Sequence, residues 1–236
     1  RFLYSLYFHF VKSLVVIFFS TLILVFIPLS RIFGKKSAKK IGSFIGKSWG
    51  QTLIFLSGVR FSVSYSPQID WNKYYVFAGN HQSSFDIYIY YAFILGDFNW
   101  IAKKSLFFIP FLGWAMAFQK HIFVERENSH KAMLSFKKAI QKVKSGISIA
   151  IFPEGSRSAN GELQKFKRGA FVLARMLGMD LVPITIKNAH KVAPKGKFML
   201  NPKEKIHITF HAPLSGKSKT LDQELRETLQ EQLEKK

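Results

Sequence analysis

Apolar and polar positions divide the chain into an N-terminal part with two long apolar segments and a remainder of shorter, alternating ones. Residues 2–30 are predicted to form one apolar helix, in which the uncharged residues 13–30 reach the lower length limit of a membrane span. Residues 37–58 have apolar positions at helical spacing and a basic edge of lysines, which predicts a second helix. We therefore expect residues 1–58 to form a membrane-associated helical hairpin; the alternative is a core helix packed on the rest of the protein.

From residue 59 onward, short apolar runs typical of buried strands alternate with segments of helical period. This alternation predicts an α/β domain over residues 59–236, with a mostly parallel sheet flanked by helices. Leucines at four-residue intervals near the C-terminus predict a packed or partner-binding helix. The predicted strands lie near 74–79, 98–102, 121–125, 147–152, 181–187 and 205–210, and the predicted helices near 84–95, 111–118, 129–144 and 167–178.

The segment Asn-His-Gln-Ser-Ser-Phe-Asp at residues 80–86 directly follows one of these strands. Ser83 and Asp86 have the spacing of a capping box, which places His81 on the loop and Asp86 in the first helical turn. A carboxylate so placed can accept the N–H of one imidazole nitrogen and leave the other free to take a proton. Taken alone, the pattern also fits a capping aspartate beside a loop histidine.

The segment Phe-Pro-Glu-Gly-Ser-Arg-Ser at residues 152–158 follows another predicted strand. Gly155 allows a ligand to approach the backbone closely. Arg157 presents a planar, permanently charged group suited to phosphate. In open α/β sheets, ligands bind beyond the carboxyl ends of the strands, where both segments are expected. The alternative interpretation is a structural turn with a surface arginine.

Together, the two segments resemble the first and third sequence blocks of the glycerolipid acyltransferase family, with Ser156 where the family has threonine. Residues 104–126 resemble the family's acceptor-binding block, and residues 182–184 resemble its fourth block. The chain departs from the family pattern at Lys120 and His121, which precede the Ile-Phe-Val run, and at Glu125, which replaces an aspartate.

The resemblance implies transfer of an acyl chain from a thioester to the sn-2 hydroxyl of 1-acylglycerol 3-phosphate, which forms phosphatidic acid in phospholipid synthesis. His81 would be the general base and Asp86 its orienting partner, with direct attack of the acceptor on the thioester. Ser83 or Ser84 as a nucleophile is a weaker alternative, because no G-x-S-x-G motif surrounds them. The residues expected to bind substrate are Lys104, Arg126, Glu154, Gly155, Ser156 and Arg157.

Two other functions remain open from the sequence. One is acylation of another lysolipid, such as a lyso-ornithine lipid, which the unusual Lys120 and His121 leave possible. The other is a catalytically inert, basic membrane-binding protein. The joint presence of His81, Asp86, Glu154 and Arg157 disfavours it.

The composition is strongly basic, with 35 Lys and Arg against 14 Asp and Glu and a net charge of +21. Such a charge favours an anionic partner, which could be a nucleic acid, a membrane or an anionic substrate. The 25 phenylalanines stand in apolar blocks, and not singly between basic residues as a platform for stacked bases requires. We therefore expect a membrane partner and no nucleic acid.

The chain contains no cysteine, which excludes disulfides, a cysteine zinc site and an acyl thioester on the protein itself. No metal-ligand spacing such as His-Glu-x-x-His occurs, so we expect no metal. We also expect no cofactor, since acyl-CoA or acyl carrier protein would bring the acyl chain as a co-substrate.

Basic residues cluster just after the first apolar helix, at positions 31, 35, 36, 39 and 40. Positive side chains collect on the cytoplasmic side of membranes. We therefore expect a membrane-associated protein with its active site on the cytoplasmic side.

Overall fold

The computed structural model describes residues 1–125 and 146–235. The predicted helix at 129–144 lies outside these residues. The helices are α1 (Phe2–Ser30), α2 (Lys35–Leu56), α3 (Phe85–Phe93), α4 (Leu112–Phe118), α5 (Gly169–Leu177), α6 (Ala189–Val192) and α7 (Leu221–Glu234). The strands are β1 (Arg60–Tyr65), β2 (Val76–Gly79), β3 (Phe98–Lys103), β4 (Ile122–Val124), β5 (Ser148–Ile151), β6 (Leu181–Lys187) and β7 (Lys205–Phe210). Short 3₁₀ helices cover Arg31–Phe33 and Lys104–Phe108.

One seven-stranded sheet has the order β1-β7-β6-β2-β5-β3-β4. Every neighbouring pair is parallel except β6 and β7, so β1 and β7 run against the other five strands. The predicted mostly parallel sheet flanked by helices is therefore confirmed. All six predicted strands are present with shifts of at most a few residues at their ends.

Strand β1 was not predicted, although its sequence carries a period-two signal. Phe61, Val63 and Tyr65 alternate with serines, and this alternation is typical of a strand with one wet face. The strand lies at the edge of the sheet and is half-exposed or exposed throughout. Its few apolar residues make a weaker signal than the continuous apolar runs of the central strands.

The sheet has a core on each face because side chains alternate along each strand. In β2, Phe77 belongs to one core, while Val76 and Ala78 belong to the other. The Phe77 side contains residues of α1, α2 and α3, including Phe8, Leu53 and Tyr90. The opposite side is covered by α5 and α7, with Leu173, Leu225 and Leu229 among its buried residues.

The N-terminal hairpin packs on the α/β domain along one side. Glycines of α2 let it approach α3, since a Cβ at Gly50 would lie 2.6 Å from the Cβ of Tyr91. At the start of α1, Phe8 is buried and stacks on Phe85 with ring centroids 5.4 Å apart. The division at residue 58 stays a prediction, because the hairpin and the domain share a core.

Helix α1 has a second face that the protein leaves uncovered. Within the described part of the chain, one helix is long and apolar enough to cross a membrane, and it covers Phe2–Phe33 with only 17% of its most apolar stretch buried. Side chains more than 45% exposed on this helix include Phe10, Leu14, Ile17, Phe18, Val25 and Phe26. An exposed apolar face of this size is typical of a surface that contacts a membrane or another protein.

Candidate active site

The predicted site residues that the structure describes lie at one edge of the sheet. β2, β3, β4 and β5 are mutually parallel, so their carboxyl ends point the same way. His81 follows β2, Lys104 follows β3, and Glu154 and Arg157 follow β5. This edge is where open α/β sheets bind their ligands.

His81 and Asp86 form the predicted pair. The Nδ1 atom of His81 lies 2.8 Å from Oδ2 of Asp86. An ionised carboxylate only accepts hydrogen bonds, so Nδ1 carries a proton and Nε2 is left as the basic nitrogen. The Asp86 side chain is fully buried, whereas that of His81 is 14% exposed. The carboxylate therefore fixes the ring through Nδ1, while part of the ring remains accessible to solvent.

The carboxylate of Asp86 also fixes the loop that carries His81. Its Oδ2 accepts the backbone N–H of Gln82 at 2.6 Å and that of Ser83 at 2.7 Å. The Oγ of Ser83 accepts the N–H of Phe85, two residues on, at 3.3 Å, so the carboxylate half of the predicted capping box is present and the hydroxyl half is shifted by one residue. The capping and the histidine-orienting interpretations of the sequence therefore describe one arrangement, in which a single carboxylate serves both.

Glu154 ties the β5 loop to the β2 loop. Its Oε1 accepts the N–H of His81 at 2.8 Å, and its Oε2 accepts the N–H of Gln164 at 3.2 Å. The N–H of Ser158 donates in turn to the carbonyl of His81 at 2.7 Å. Burial raises the pKa of Glu154, and the hydrogen bonds that it accepts from His81 and Gln164 act against that rise. Glu154 is buried and holds the backbone N–H of His81, while Ser158 holds the backbone carbonyl.

Two further residues of the site carry roles that the sequence did not assign. Phe152 stacks on the His81 ring with centroids 3.9 Å apart and planes 4° from parallel. Asn80 bonds β6 through both ends of its amide, at 2.7 Å to the carbonyl and 2.8 Å to the N–H of Ile186. Both residues belong to the recognised blocks, but their partners lie far away in the sequence.

The β5 loop presents Arg157 and Ser156 toward solvent. Gly155 has a φ of +75°, a conformation that favours glycine, and its N–H closes the turn onto the carbonyl of Phe152 at 3.0 Å. Ser156 is exposed and exchanges hydrogen bonds with Gln164. The half-exposed Arg157 lies near Tyr88; burial raises the pKa of Tyr88 to about 12, and the Arg157 charge lowers it.

The acceptor block is only partly described. Lys104 lies 3.5 Å from Oε2 of Glu125, and both side chains are largely exposed. Arg126, the predicted phosphate ligand of this block, lies outside the described residues.

His121 lies away from the site. It is buried just before β4, at the amino edge of the sheet. Its ring nitrogens form hydrogen bonds with the Tyr91 hydroxyl and the backbone N–H of Trp100. Its divergence from the family pattern therefore reflects packing and gives no reason to expect a different acceptor.

Ser83 has a structural position. It is fully buried, and its hydroxyl donates to the carbonyl of Ala193 at 3.1 Å. Within residues 1–125 and 146–235, no three His, Cys, Asp or Glu side chains group together in a way that could hold a metal ion. The chemistry that this edge supports is proton transfer by His81.

Comparisons with known proteins point to the same chemistry. The sequence model of the Acyltransferase family matches residues 60–187. The chloroplastic 1-acyl-sn-glycerol-3-phosphate acyltransferase of Arabidopsis thaliana is 32% identical over 204 residues, which cover 83% of this chain and 55% of that protein. The 1-acyl-sn-glycerol-3-phosphate acyltransferase of Borreliella burgdorferi is 30% identical over 158 residues, which cover 67% of this chain and 63% of that protein. This chain thus spans about half the length of the plant relatives that it matches.

A solved structure extends the similarity to the whole fold. The crystal structure of the 1-acyl-sn-glycerophosphate acyltransferase PlsC from Thermotoga maritima matches with a TM-score of 0.81 and 27% sequence identity. The match covers 98% of this chain and 92% of that one, so it includes the N-terminal hairpin as well as the α/β domain.

Proposed function

This chain belongs to the acyltransferase family, and we propose that it transfers an acyl chain from a thioester to the sn-2 hydroxyl of 1-acylglycerol 3-phosphate, which forms phosphatidic acid. The observation that carries the proposal is the pair of His81 and Asp86, joined at 2.8 Å with the imidazole open on its other side. The names of the related proteins from Arabidopsis and Borreliella support the choice of acceptor.

In the proposed reaction, Nε2 of His81 takes the proton of the acceptor hydroxyl as the hydroxyl oxygen attacks the thioester carbonyl carbon. The buried carboxylate of Asp86 stabilises the imidazolium that forms. The tetrahedral intermediate then collapses, the carbon–sulfur bond breaks, and the leaving thiolate takes the proton back from His81. Transfer is direct in this scheme, without an acyl-enzyme intermediate. The Ser83 hydroxyl is buried and donates to the carbonyl of Ala193, which disfavours it as a nucleophile.

The positively charged residues of the carboxyl edge suit a phosphate-bearing acceptor. We assign Arg157 to the phosphate because it stands beside the histidine loop, half-exposed and permanently charged. Lys104 and Arg126 are assigned to the same group through the acceptor block. Ser156 and Gly155 shape the Arg157 loop, and Glu154 acts as a positioning residue through the backbone of His81.

Acceptor and donor would reach the site differently. The acceptor is a lipid, and the exposed apolar face of α1 supports a membrane-associated protein that meets it in the bilayer. The acyl donor would be a thioester of CoA or of acyl carrier protein, reached from the cytoplasmic side.

The experiment that tests the proposal is a turnover assay with a radiolabelled acyl donor and a panel of lysolipids. We expect 1-acylglycerol 3-phosphate to be acylated with the highest kcat/KM, and the label to appear in phosphatidic acid. Acyl-CoA and acyl carrier protein thioesters are compared in parallel arms. Faster acylation of a lysolipid without a phosphate monoester, such as a lyso-ornithine lipid, would contradict the proposed acceptor but leave the chemistry intact. No transfer to any acceptor would contradict the function.

A further inference from the structure

A cavity of about 410 Å³ lies between the N-terminal hairpin and the amino edge of the sheet. Its wall includes the first residues of β3, and also His121 and Ile147, which directly precede β4 and β5. His81 stands beyond the opposite ends of these parallel strands. The cavity is therefore separate from the candidate active site.

The cavity wall is strongly basic. Asp97 is the single acidic side chain among its described residues, and it pairs with Lys39 at 3.6 Å. In residues 1–125 and 146–235, no ion pair engages the other basic side chains of the wall. Burial lowers the pKa of His121 to about 3, so this residue adds no charge. The six basic residues of the wall are Arg31, Lys35, Lys39, Lys40, Lys47 and Lys120.

One side of the cavity is apolar and continues into the exposed surface of the hairpin. Ile27, Phe44 and Phe118 line it, and Phe44 is 72% exposed. Next to them, Ile32 and Phe33 at the bend of the hairpin are about four-fifths exposed. The concave, basic part and the flat, apolar part therefore adjoin, and each alone would fit a different ligand.

We propose that this cavity binds the headgroup of an anionic glycerophospholipid, with the phosphate among the lysines and the acyl chains along the exposed apolar residues of α1 and α2. The volume lies within the range of small-molecule sites. The balance of six positive side chains against one negative side chain complements a phosphate. The adjoining apolar surface favours a lipid over a soluble phosphate, because a soluble phosphate would leave it uncovered.

Native mass spectrometry of the full chain tests this site without any acyl donor, so the result does not depend on the proposed reaction. The protein is released from micelles that contain equal amounts of phosphatidylglycerol and phosphatidylcholine. We expect one phosphatidylglycerol to be retained in preference to phosphatidylcholine. In Lys35→Gln/Lys40→Gln, which removes two exposed lysines of the wall, the affinity for phosphatidylglycerol should fall at least about tenfold.

The matched control is Lys36→Gln/Lys217→Gln. Lys36 lies next to Lys35 on α2 but does not line the cavity, and Lys217 is exposed near α7. This variant has the same net charge as the test variant and should bind within about twofold of the parent. Asp97→Asn removes the acid of the wall, and its affinity should rise. A gain of affinity is an outcome that misfolding does not mimic.

Three results would overturn the proposal. The control pair could lose as much affinity as the cavity pair, which would mean attraction by overall charge. The Asp97→Asn protein could bind no more tightly than the parent. Finally, millimolar sn-glycerol 3-phosphate could displace the lipid completely, which would mean a site for a soluble phosphate.

Discussion

The carboxyl and amino edges of the sheet each hold a histidine, and the two are built for opposite purposes. His81 has one nitrogen on a carboxylate, and no group in the described part of the chain bonds its other nitrogen. His121 is buried, and both of its nitrogens are hydrogen-bonded. Nδ1 accepts the backbone N–H of Trp100 at 3.1 Å, and Nε2 lies 2.9 Å from the Tyr91 hydroxyl. Proton transfer requires a free nitrogen, and of these two histidines His81 provides it.

The same contrast holds for the charged groups around the two histidines. At the carboxyl edge, Asp86 and Glu154 are buried, and backbone N–H groups donate to Oδ2 of Asp86 and to both carboxylate oxygens of Glu154. At the amino edge, most of the lysines of the cavity wall are exposed, as Lys35, Lys40 and Lys120 are. Buried charges need fixed partners, and fixed partners make a rigid site. The carboxyl edge is thus organised before substrate arrives, and the amino edge leaves its charges available to a mobile anion.

Replacement of His81 should have the largest effect on catalysis. His81→Ala should lower kcat by roughly 10²–10⁴ because general-base help is lost. The assay is initial-rate acyl transfer with saturating donor. His207→Ala, which removes an exposed histidine of β7 whose Nδ1 bonds the Ser62 hydroxyl, should keep the parental rate. Circular dichroism checks the fold of both proteins. A folded His81→Ala protein with near-normal turnover would refute the mechanism.

The partner of His81 should matter somewhat less. Asp86→Asn keeps the shape of the side chain but removes the charge that faces the imidazole. A charge-assisted hydrogen bond contributes about 1.5–3 kcal/mol, so kcat should fall about 10- to 150-fold.

The matched control for this change is Asp70→Asn, at an exposed aspartate that bonds only its local turn. This variant should be fully active. If both changes lowered kcat equally, Asp86 would have no special link to His81.

Arg157→Ala tests whether the charge beside the histidine binds the acceptor. The side chain is half-exposed, so water screens it, and its contact with a phosphate should be worth about 1 kcal/mol. The KM for the lysolipid should therefore rise about fivefold, with little change in the KM for the acyl donor.

The control for Arg157 is Arg175→Ala, at an arginine whose guanidinium bonds backbone carbonyls of the loop before α7. Its KM values should match the parental ones. Equal increases in both KM values of Arg157→Ala would indicate a structural role for Arg157.

The parts of this site that could be predicted from the sequence are those that depend on neighbours along the chain. His81 and Asp86 lie five residues apart, and the hydrogen bond from the N–H of Ser83 to the Asp86 carboxylate fixes their approach within one loop and one helical turn. The central strands were predicted because burial on both faces demands continuous apolar runs, and β2 and β5 are buried at every position.

The parts that could not be predicted depend on the order of the strands. Glu154 reaches the N–H of His81, 73 residues away, because β5 lies beside β2. Asn80 reaches Ile186, 106 residues away, because β6 lies on the other side of β2. Periodicity gives the strands but not their neighbours, so these contacts carry no local signal. For the same reason, the sequence left open that the unusual His121 bears on the acceptor, although this residue is buried at the amino edge.

Replacement of His121 should have the smallest effect on catalysis and should act on stability instead. Burial lowers its pKa to about 3, below the value of about 6.5 expected in the unfolded chain. Between these values the unfolded state binds a proton that the folded state does not, so the free energy of unfolding falls as the pH drops below about 6.5. His121→Leu should remove that part of the acid sensitivity. The substitution should also lower the free energy of unfolding by about 1–3 kcal/mol at pH 7.5, because the backbone N–H of Trp100 loses its acceptor. Denaturant titrations in detergent at pH 7.5 and 5 measure both effects.

The control is Tyr91→Phe, which keeps the histidine buried and should retain the parental dependence of the unfolding free energy on pH. An acid sensitivity that is unchanged in His121→Leu would show that His121 is not the titrating group, and a large loss of kcat at pH 7.5 would erase the distinction between the two edges.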